Sequence, residues 1–309
     1  MRVAMVDQPG QVPRASELPE PHLEDGEQIV ELVAAGLHPV VKALAGGAHY
    51  GSTNGPLVPG VDAVGKTRDG RFVYTGFIRK PYGTFAERMA APRVLPLPDD
   101  ATRELAIQVA AALNPGMSSW LPLRSLEELG TVWILGATGA AGRLAIQNAR
   151  ELGADRVVAV VRRSVDVGAD ATIVVGNGKD QDVAAVAAEA ANARPTTILD
   201  FVWGPVAEAV FGGLTRTTMD DDATVTTYIE IGQSAGSEAA LPAALLRSSA
   251  ITIRGSGAGG TPIAQIMAEL PAYVERICAG KVSLPVTLFP LDQIAAAWVH
   301  DGPRAVIVT

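Results

Sequence analysis

The sequence contains one cysteine, Cys278, in 309 residues. A single cysteine cannot form a disulfide within the chain, and it cannot supply the ligand set of a cysteine-rich zinc site. The four histidines show no metal-ligand spacing either, although His38 and His49 flank one loop. We therefore expect no metal site, and we expect the protein in the reducing environment of the cytoplasm.

Clusters of positive charge are also lacking. No run of Lys and Arg exceeds two residues, and the formal net charge is -8. A surface of this sign repels phosphate backbones, so nucleic acid is not expected as a partner.

Long hydrophobic runs without breaks are lacking as well. At the N-terminus the charge of Asp7 comes too early for a signal peptide. The longest uncharged run, 105–123, contains Asn114, Pro115 and Pro122, whose breaks and polar groups are costly in lipid. This run predicts a helix followed by a turn, and no association with a membrane.

The first ~110 residues have the pattern of short strands separated by turns. Alternating apolar residues bounded by Gly and Pro predict strands at residues 2–6, 28–33, 57–64 and 71–74. This part is expected to be an irregular, all-β domain.

After Asn114, short apolar runs alternate with stretches of helical spacing. Strands that alternate with helices indicate a parallel sheet covered on both faces, so the fold class is α/β. The tail is too small to fold alone and is expected to dock on the first domain. We predict domains at 1–115 and 116–258, and a returning segment at 259–309. The predicted strands after residue 114 lie at 131–135, 156–161, 172–175, 196–201, 224–231, 251–253, 282–289 and 305–308.

A glycine-rich segment lies between a predicted strand and a predicted helix, at residues 136–142. A bound phosphate needs a turn without a Cβ in the way and backbone N–H groups that point from a helix N-terminus. The spacing is G-x-x-G-x-x-G rather than strict G-x-G-x-x-G, and an ordinary turn between strand and helix is the alternative. We predict a dinucleotide site formed by Gly136, Thr138, Gly139, Ala140, Ala141 and Gly142.

Two arginines, Arg162 and Arg163, end the next predicted strand, where NAD-binding sheets carry an acidic residue for the ribose hydroxyls. A carboxylate there would repel a 2′-phosphate, whereas a guanidinium attracts it and can bind it with two hydrogen bonds. We therefore predict NADPH rather than NADH as the cofactor. The alternative is an exposed arginine pair that only solvates the strand end.

Several short motifs occur in an order and spacing that resemble one family. They lie at residues 34–39 (AAGLHP), 58–65 (VPGVDAVG), 83–87 (GTFAE), 114–120 (NPGMSSW), 231–232 (IG) and 253–256 (IRGS). Together they resemble the zinc-independent quinone oxidoreductase branch of the medium-chain dehydrogenase/reductase superfamily, over nearly the whole chain. The resemblance implies a GroES-like, β-rich substrate domain and a Rossmann cofactor domain with a doubly wound parallel sheet.

The resemblance also implies an activity. It implies that NADPH gives a hydride to a small hydrophobic acceptor, a quinone, an enone or a similar conjugated carbonyl, in a cleft between domains. It adds Gly232 and Ser256 to the cofactor-binding residues, and it implies a homodimer that pairs the strand at 251–255 across a two-fold axis. Two other functions stay open: a 2-enoyl thioester reductase, and a non-catalytic NADPH-binding regulator.

The candidate catalytic residues are His38 and Tyr50. His38 replaces the Asn of the family motif and can take over its hydrogen bond near the nicotinamide ribose; the alternative is a loop histidine with a backbone partner. Tyr50 occupies a loop where such reductases often place an active-site tyrosine; the alternative is an aromatic residue that packs at the domain edge. Asp62 resembles the family's acid near the cleft, but is expected to accept backbone hydrogen bonds in a buried turn.

The segment at 163–171 joins the second and third strands of the α/β domain. Parallel neighbours normally need a crossover of about a dozen residues or more. Either this crossover is unusually short, or the printed sequence lacks part of it.

Overall fold

The computed structural model describes residues 1–49, 51–53, 55–216, 218, 224–257 and 259–309. The chain forms two compact units. One comprises Met1–Pro115 and Leu270–Thr309, and we call it the mixed-sheet unit. The other is Gly116–Glu269, the parallel-sheet unit. The second division falls inside a helix, at Leu270, and thus later in the chain than residue 259.

The strands of the mixed-sheet unit are β1 (Arg2–Met5), β2 (Arg14–Glu17), β3 (Gln28–Gly36), β4 (Asp62–Lys66), β5 (Phe72–Gly76), β6 (Arg88–Ala91), β7 (Val94–Pro96), β14 (Val286–Pro290) and β15 (Arg304–Val308). Seven of them form one sheet with the order β14-β15-β3-β4-β5-β7, in which β6 also pairs with β3. The pair β14–β15 is parallel and the other pairs of this sheet are antiparallel. Because the C-terminal strand β15 pairs with β3, the end of the chain completes a sheet that is formed mainly by the first part of the chain.

Two expectations for this unit are wrong in detail. The strand expected at 57–64 begins only at Asp62, because Pro59 has no N–H to donate and Gly60 has a φ of +109°. Leu57 forms only an isolated bridge with Val6. The unit also contains a short helix, α1 (Pro39–Ala45), so it is not entirely β.

Helix α2 (Arg103–Arg124) runs through the Asn-Pro-Gly segment where a turn was expected. Pro115 removes one backbone hydrogen bond, but Leu113 and Met117 on either side are buried, and this packing keeps the helix continuous. None of the helices within the described ranges combines the length and hydropathy of a membrane span.

The parallel-sheet unit contains six parallel strands in the order β10-β9-β8-β11-β12-β13. The chain moves outward from β8 through β9 to β10, and then returns to the other side of β8 with β11. Ligands bind beyond the carboxyl ends of the strands at such a switch point. The strands are β8 (Thr131–Leu135), β9 (Arg156–Val161), β10 (Ala171–Val174), β11 (Thr197–Asp200), β12 (Val225–Glu230) and β13 (Ala250–Gly255), and the helices are α3 (Ala140–Glu151), α4 (Lys179–Asn192), α5 (Gly204–Leu214) and α6 (Ala243–Ser248).

Both faces of the parallel sheet are buried, which explains its nearly continuous apolar strands. On one face Trp133, Val158 and Ile198 belong to a single core, and on the other Val132 and Ala159 belong to a second.

The crossover between β9 and β10 contains no helix. Residues 162–170 alone connect two strands that pair in parallel register, Val158 with Ala171. Val167 and Ala169 pack against the sheet core, and Asp170 Oδ2 accepts a 2.7 Å hydrogen bond from the Val157 N–H. In this structure an irregular segment therefore covers the sheet where a crossover helix would ordinarily lie.

The last two helices come after the strands of the parallel sheet in the order of the chain. Helix α7 (Ile263–Cys278) crosses the second unit boundary, and α8 (Ile294–Val299) precedes β15. The spacing of apolar residues in the sequence predicts helices at about 262–279 and 292–299, and both form within two residues of these ends.

Candidate functional site

The glycine-rich turn follows β8 and leads into α3. Gly136 has a φ of +80°, and a Cβ there would lie 2.7 Å from Val202 Cγ1. A Cβ on Gly142 would lie 2.4 Å from the Gly136 carbonyl oxygen. Glycine is thus required at 136 by the backbone and at 142 by the close approach of helix and turn. These are two of the roles that glycines have in a dinucleotide fingerprint.

Gly139 is different, because the protein itself does not require it to be glycine. Its φ is −70°, and an added Cβ would meet only the Gly136 carbonyl oxygen, at 3.4 Å. Because Gly139 has no side chain, it leaves space over the N-terminus of α3. Ala140, Ala141 and Gly142 form the first turn of this helix. Among the described residues, no side chain caps this end of α3, and none in its first turn is acidic. The residues therefore fit a diphosphate, which needs open N–H groups and the positive end of the helix dipole.

Arg162 and Arg163 follow the last residue of β9 directly, and both are exposed. The Gly136 N–H donates a 3.0 Å hydrogen bond to the carbonyl oxygen of Val160, so the end of β9 lies beside the glycine turn. Asp182 caps the loop after β10 by accepting hydrogen bonds from Gly176 and Asn177. That carboxylate is thereby engaged with backbone N–H groups.

Gly232 and Ser256 lie at the same edge of the sheet. The Gly232 N–H donates to the Asp200 carbonyl oxygen at 3.1 Å, and the Ser256 N–H donates to that of Glu230 at 2.8 Å. All the predicted cofactor residues therefore follow carboxyl ends of parallel strands, and the structure brings them to one edge.

Sequence reasoning missed a buried group at this edge. Asp200, the last residue of β11, accepts hydrogen bonds from the Val202 and Trp203 N–H groups at 2.7 and 2.9 Å, and from the Tyr228 hydroxyl at 2.5 Å. Burial raises the pKa of Asp200, and these hydrogen bonds oppose the rise. The sequence did contain a signal for this group: the strand ends in Asp200, and an aromatic residue, Trp203, stands directly before Gly204.

Glu230 stands opposite Asp200 in the register of β11 and β12. Partial burial raises the pKa of Glu230, and the neighbouring charge of Asp200 raises it further. Two carboxylates are thus adjacent at the edge where an anionic diphosphate would bind.

The second group of functional side chains lies in the mixed-sheet unit, around Asp62. His38 Nε2 lies 3.0 Å from Asp62 Oδ1, and the Tyr74 hydroxyl donates to Asp62 Oδ2 at 2.7 Å. His38 and Asp62 are both buried. Burial, and then Asp62, raise the pKa of Tyr74 well above its usual value. The alternative of a backbone partner for His38 is not what the structure shows, and the expectation of backbone partners for the Asp62 carboxylate is wrong, because these side chains bind each other.

With Asp62 ionised, His38 Nε2 carries the hydrogen of this bond. The other ring nitrogen, Nδ1, is buried and has no hydrogen-bond partner among the described residues. A Cβ on Gly36 would lie 2.5 Å from His38 Cε1, so the glycine of the Ala-Ala-Gly motif makes room for the ring. Arg304 Nη1 donates to the Leu37 carbonyl oxygen at 2.7 Å. Burial lowers the pKa of Arg304 to about 10, and the charge of Asp62 opposes that decrease.

Tyr50, the other candidate catalytic residue, lies outside the described residues. Across the described ranges, no three side chains of His, Cys, Asp or Glu come together as a metal site.

Comparisons with known proteins agree with this geometry. No family model matches the chain. A curated relative, the probable NADPH-dependent quinone reductase tdiC of Emericella nidulans, is 28% identical over 346 residues and covers 96% of each chain.

Solved structures extend the comparison to three dimensions. The quinone oxidoreductase of Thermus thermophilus, also solved with NADPH, is 25% identical with a TM-score of 0.78 and covers 100% of both chains. The mycobacterial protein Rv1454c, in complex with NADPH, is 20% identical with a TM-score of 0.80 and also covers 100% of both chains. The chain therefore has the fold of the quinone oxidoreductases of the medium-chain dehydrogenase/reductase superfamily, which confirms the resemblance found in its sequence motifs.

Proposed function

We propose that this protein is an NADPH-dependent reductase of quinones or related conjugated carbonyls. The observation that carries the proposal is the edge of the parallel sheet, where an uncapped helix N-terminus behind a glycine turn lies beside two exposed arginines. A diphosphate and a 2′-phosphate are the two anionic groups of NADPH, and this edge offers a fitting group for each.

When bound, NADPH supplies a hydride. The chain binds and orients: the backbone N–H groups of the first turn of α3 hold the diphosphate, and Arg162 and Arg163 hold the 2′-phosphate. Quinones and enones spread the charge that develops on their oxygens, so hydrogen-bond donors suffice to stabilise it. Tyr50 is the donor that we propose. Because the hydrogen of His38 Nε2 goes to Asp62, Nδ1 of the same ring can only accept, and we propose that it accepts from a hydroxyl of the nicotinamide ribose.

The activity is tested by following NADPH oxidation with 1,4-naphthoquinone, 2-cyclohexenone, an aromatic aldehyde and an enoyl thioester as acceptors. Turnover of the quinone or the enone is the expected result. Turnover of the thioester alone would identify a 2-enoyl thioester reductase. Tight binding of NADPH without turnover of any acceptor would identify a binding protein and contradict the proposal.

The cofactor preference is tested at the arginine pair. Each charge-assisted bond to the phosphate contributes about 1.5–3 kcal/mol. One such bond gives NADPH a preference over NADH of roughly tenfold to a hundredfold. Replacing both arginines by Ala is expected to weaken NADPH binding to the level of NADH and to leave NADH binding unchanged. Arg247→Ala is the matched control, because Arg247 lies just before β13 and therefore at the opposite edge of the sheet. Equal affinities of the wild type for both cofactors would contradict this assignment.

Two further properties complete the proposal. Strand β13 is an outer strand of the parallel sheet, and an unpaired edge of this kind invites pairing with a second copy. We propose a homodimer through β13; a monomer by light scattering at micromolar concentration would contradict it. A cytoplasmic location fits the one cysteine, Cys278, which is a free thiol.

A further inference from the structure

Two residues other than glycine have a positive φ in the described part of the chain, Phe77 at 58° and Trp203 at 54°. This conformation is strained for a bulky side chain, so it persists only where the surroundings enforce it. Contacts of Trp203 with its neighbours offset this strain. Its N–H binds Asp200, and its ring meets the rings of Phe211 and Tyr228 at 5.8 and 6.2 Å.

Among the described residues, no comparable contact offsets the strain at Phe77. Its side chain is 62% exposed, and no ring contact or hydrogen bond to it is found among the described residues. An exposed aromatic ring on a strained backbone is unfavourable twice, once for the conformation and once for the apolar surface in water. A structural role does not explain either cost.

The neighbours of Phe77 hold it in this conformation. Gly76 ends β5, and a Cβ there would lie 2.9 Å from the Val61 carbonyl oxygen, so the chain is pressed against β4. Ile78 packs against the core of the mixed-sheet unit. Arg79 forms ion pairs with Glu24 at 2.9 Å and Glu27 at 3.3 Å. With both sides anchored, the positive φ presents the ring to solvent.

The position of the ring relates it to the candidate catalytic pair. Gly76 is the register partner of Asp62, whose carboxylate binds His38 and Tyr74. Phe77 is the next residue, and consecutive Cα atoms are about 3.8 Å apart. The exposed ring therefore starts from the backbone beside the Asp62–His38 pair, in the unit that does not carry the glycine turn or the arginines.

We infer that Phe77 is a substrate-contacting residue whose ring stacks on the planar ring of a quinone acceptor. The inference rests on the proposed function and names the substrate class that its site prefers: planar aromatic quinones over small, non-aromatic enones. Offset stacking of two flat π-systems is favourable beyond the surface it buries, and a ring held in place by the backbone loses little freedom when the substrate binds.

The test compares Phe77→Ala with Phe77→Gly and Phe77→Trp. Ala and Gly both remove the ring, so both are expected to raise KM for 1,4-naphthoquinone about tenfold. KM for NADPH and kcat are expected to stay within about twofold. Trp keeps a stacking surface and is expected to keep the wild-type KM. For 2-cyclohexenone, which has no aromatic ring to stack, all variants are expected within about twofold of the wild type.

Thermal unfolding separates the ring from the backbone. Gly relieves the positive φ and Ala does not, so the Gly variant is expected to have the higher Tm of the two although both lose the ring. Tyr82→Ala is the matched control, since Tyr82 is another exposed aromatic residue of the same segment without a positive φ. It is expected to leave KM for both acceptors unchanged.

The outcomes distinguish this inference from the proposed function. A wild type that oxidises NADPH with 1,4-naphthoquinone, together with Ala and Gly variants of unchanged KM, would overturn the role of Phe77 and leave the activity standing. Equal losses for 1,4-naphthoquinone and 2-cyclohexenone would also overturn it, because they would reflect a general disturbance. A wild type without turnover of any acceptor would remove the proposed function itself; direct titration with 1,4-naphthoquinone would then test Phe77 separately, and equal affinities of the wild type and the Ala variant would overturn its role.

Discussion

The two units each bury an aspartate that accepts a hydrogen bond from a tyrosine hydroxyl. In the mixed-sheet unit Tyr74 donates to Asp62, and in the parallel-sheet unit Tyr228 donates to Asp200. The remaining partners differ. Asp62 also binds a side chain, His38, whereas Asp200 binds two backbone N–H groups. A carboxylate that holds backbone groups fixes the shape of a turn, whereas one that holds an imidazole fixes a group that can exchange a proton.

This difference has a consequence for mutants of the two pairs. Changes at Asp200 and Tyr228 are expected to appear in stability, because they disturb the turn that leads into α5. Changes around Asp62 are expected to appear in turnover, because they disturb His38. Four sets of variants test this division.

Asp200→Ala is expected to have the largest effect. It leaves the Val202 and Trp203 N–H groups and the Tyr228 hydroxyl without their acceptor in a buried place. The free energy of unfolding is expected to fall by about 3 kcal/mol or more, measured by urea denaturation. Asp200→Asn keeps one acceptor oxygen for the two N–H groups and is expected to lose about half as much. A loss below about 1 kcal/mol for Asp200→Ala would show that the turn does not depend on this carboxylate.

His38→Leu is expected to lower kcat with 1,4-naphthoquinone roughly a hundredfold, because loss of the hydrogen bond near the nicotinamide ribose misplaces the reacting ring. The affinity for NADPH, from titration, is expected to fall by no more than about tenfold, because the proposed phosphate-binding residues belong to the other unit. His38→Asn introduces the residue that the family motif carries and is expected to retain more activity than the Leu variant. Equal activities of the two variants and the wild type would remove His38 from the site.

The tyrosine pair gives the sharpest comparison, because Tyr74→Phe and Tyr228→Phe delete the same atom. Each removes a hydrogen bond to a carboxylate, so each is expected to lower the free energy of unfolding by about 1.5–3 kcal/mol. Only Tyr74→Phe is expected to lower turnover as well, roughly tenfold, and to change its pH profile. If both variants lower turnover equally, the division between the two aspartates is wrong.

Glu230→Gln is expected to have the smallest effect, a stabilisation. The folded-state pKa of Glu230 is raised, first by burial and then by Asp200. Its contribution to stability is therefore present below the unfolded-state pKa and is lost as pH rises through the folded-state pKa. Gln does not ionise, so the variant is expected to be more stable at neutral pH by about 0.2–1 kcal/mol, a range set by solvent screening of the half-exposed group. Melting curves at acidic and neutral pH measure this, and a gain that persists when Glu230 is protonated would point to another cause.

The sequence alone was enough to predict the parallel sheet and the edge that we propose for the cofactor. Local signals were sufficient there: apolar runs for the strands, glycines at 136, 139 and 142, and an arginine pair one strand later. Parallel strands bring their carboxyl ends to one edge by topology, so residues far apart in the chain meet without any specific side-chain contact. The short length of the crossover at 162–170 was also visible in the sequence, and the structure adds that the two strands on either side of it pair in parallel.

The tertiary structure decided what surrounds the side chains of the mixed-sheet unit. His38 lies two residues after β3, Asp62 at the start of β4 and Tyr74 in the middle of β5. Their meeting depends on antiparallel register, because a one-residue shift would turn the side chains of a strand to the other face. The strain at Phe77 was equally hidden, because a phenylalanine in sequence favours a strand, and only the packing of Ile78 and the ion pairs of Arg79 force its backbone out of one. Backbone patterns repeat with a period and can be predicted from neighbours in sequence, whereas a contact between side chains depends on the whole path of the chain between them.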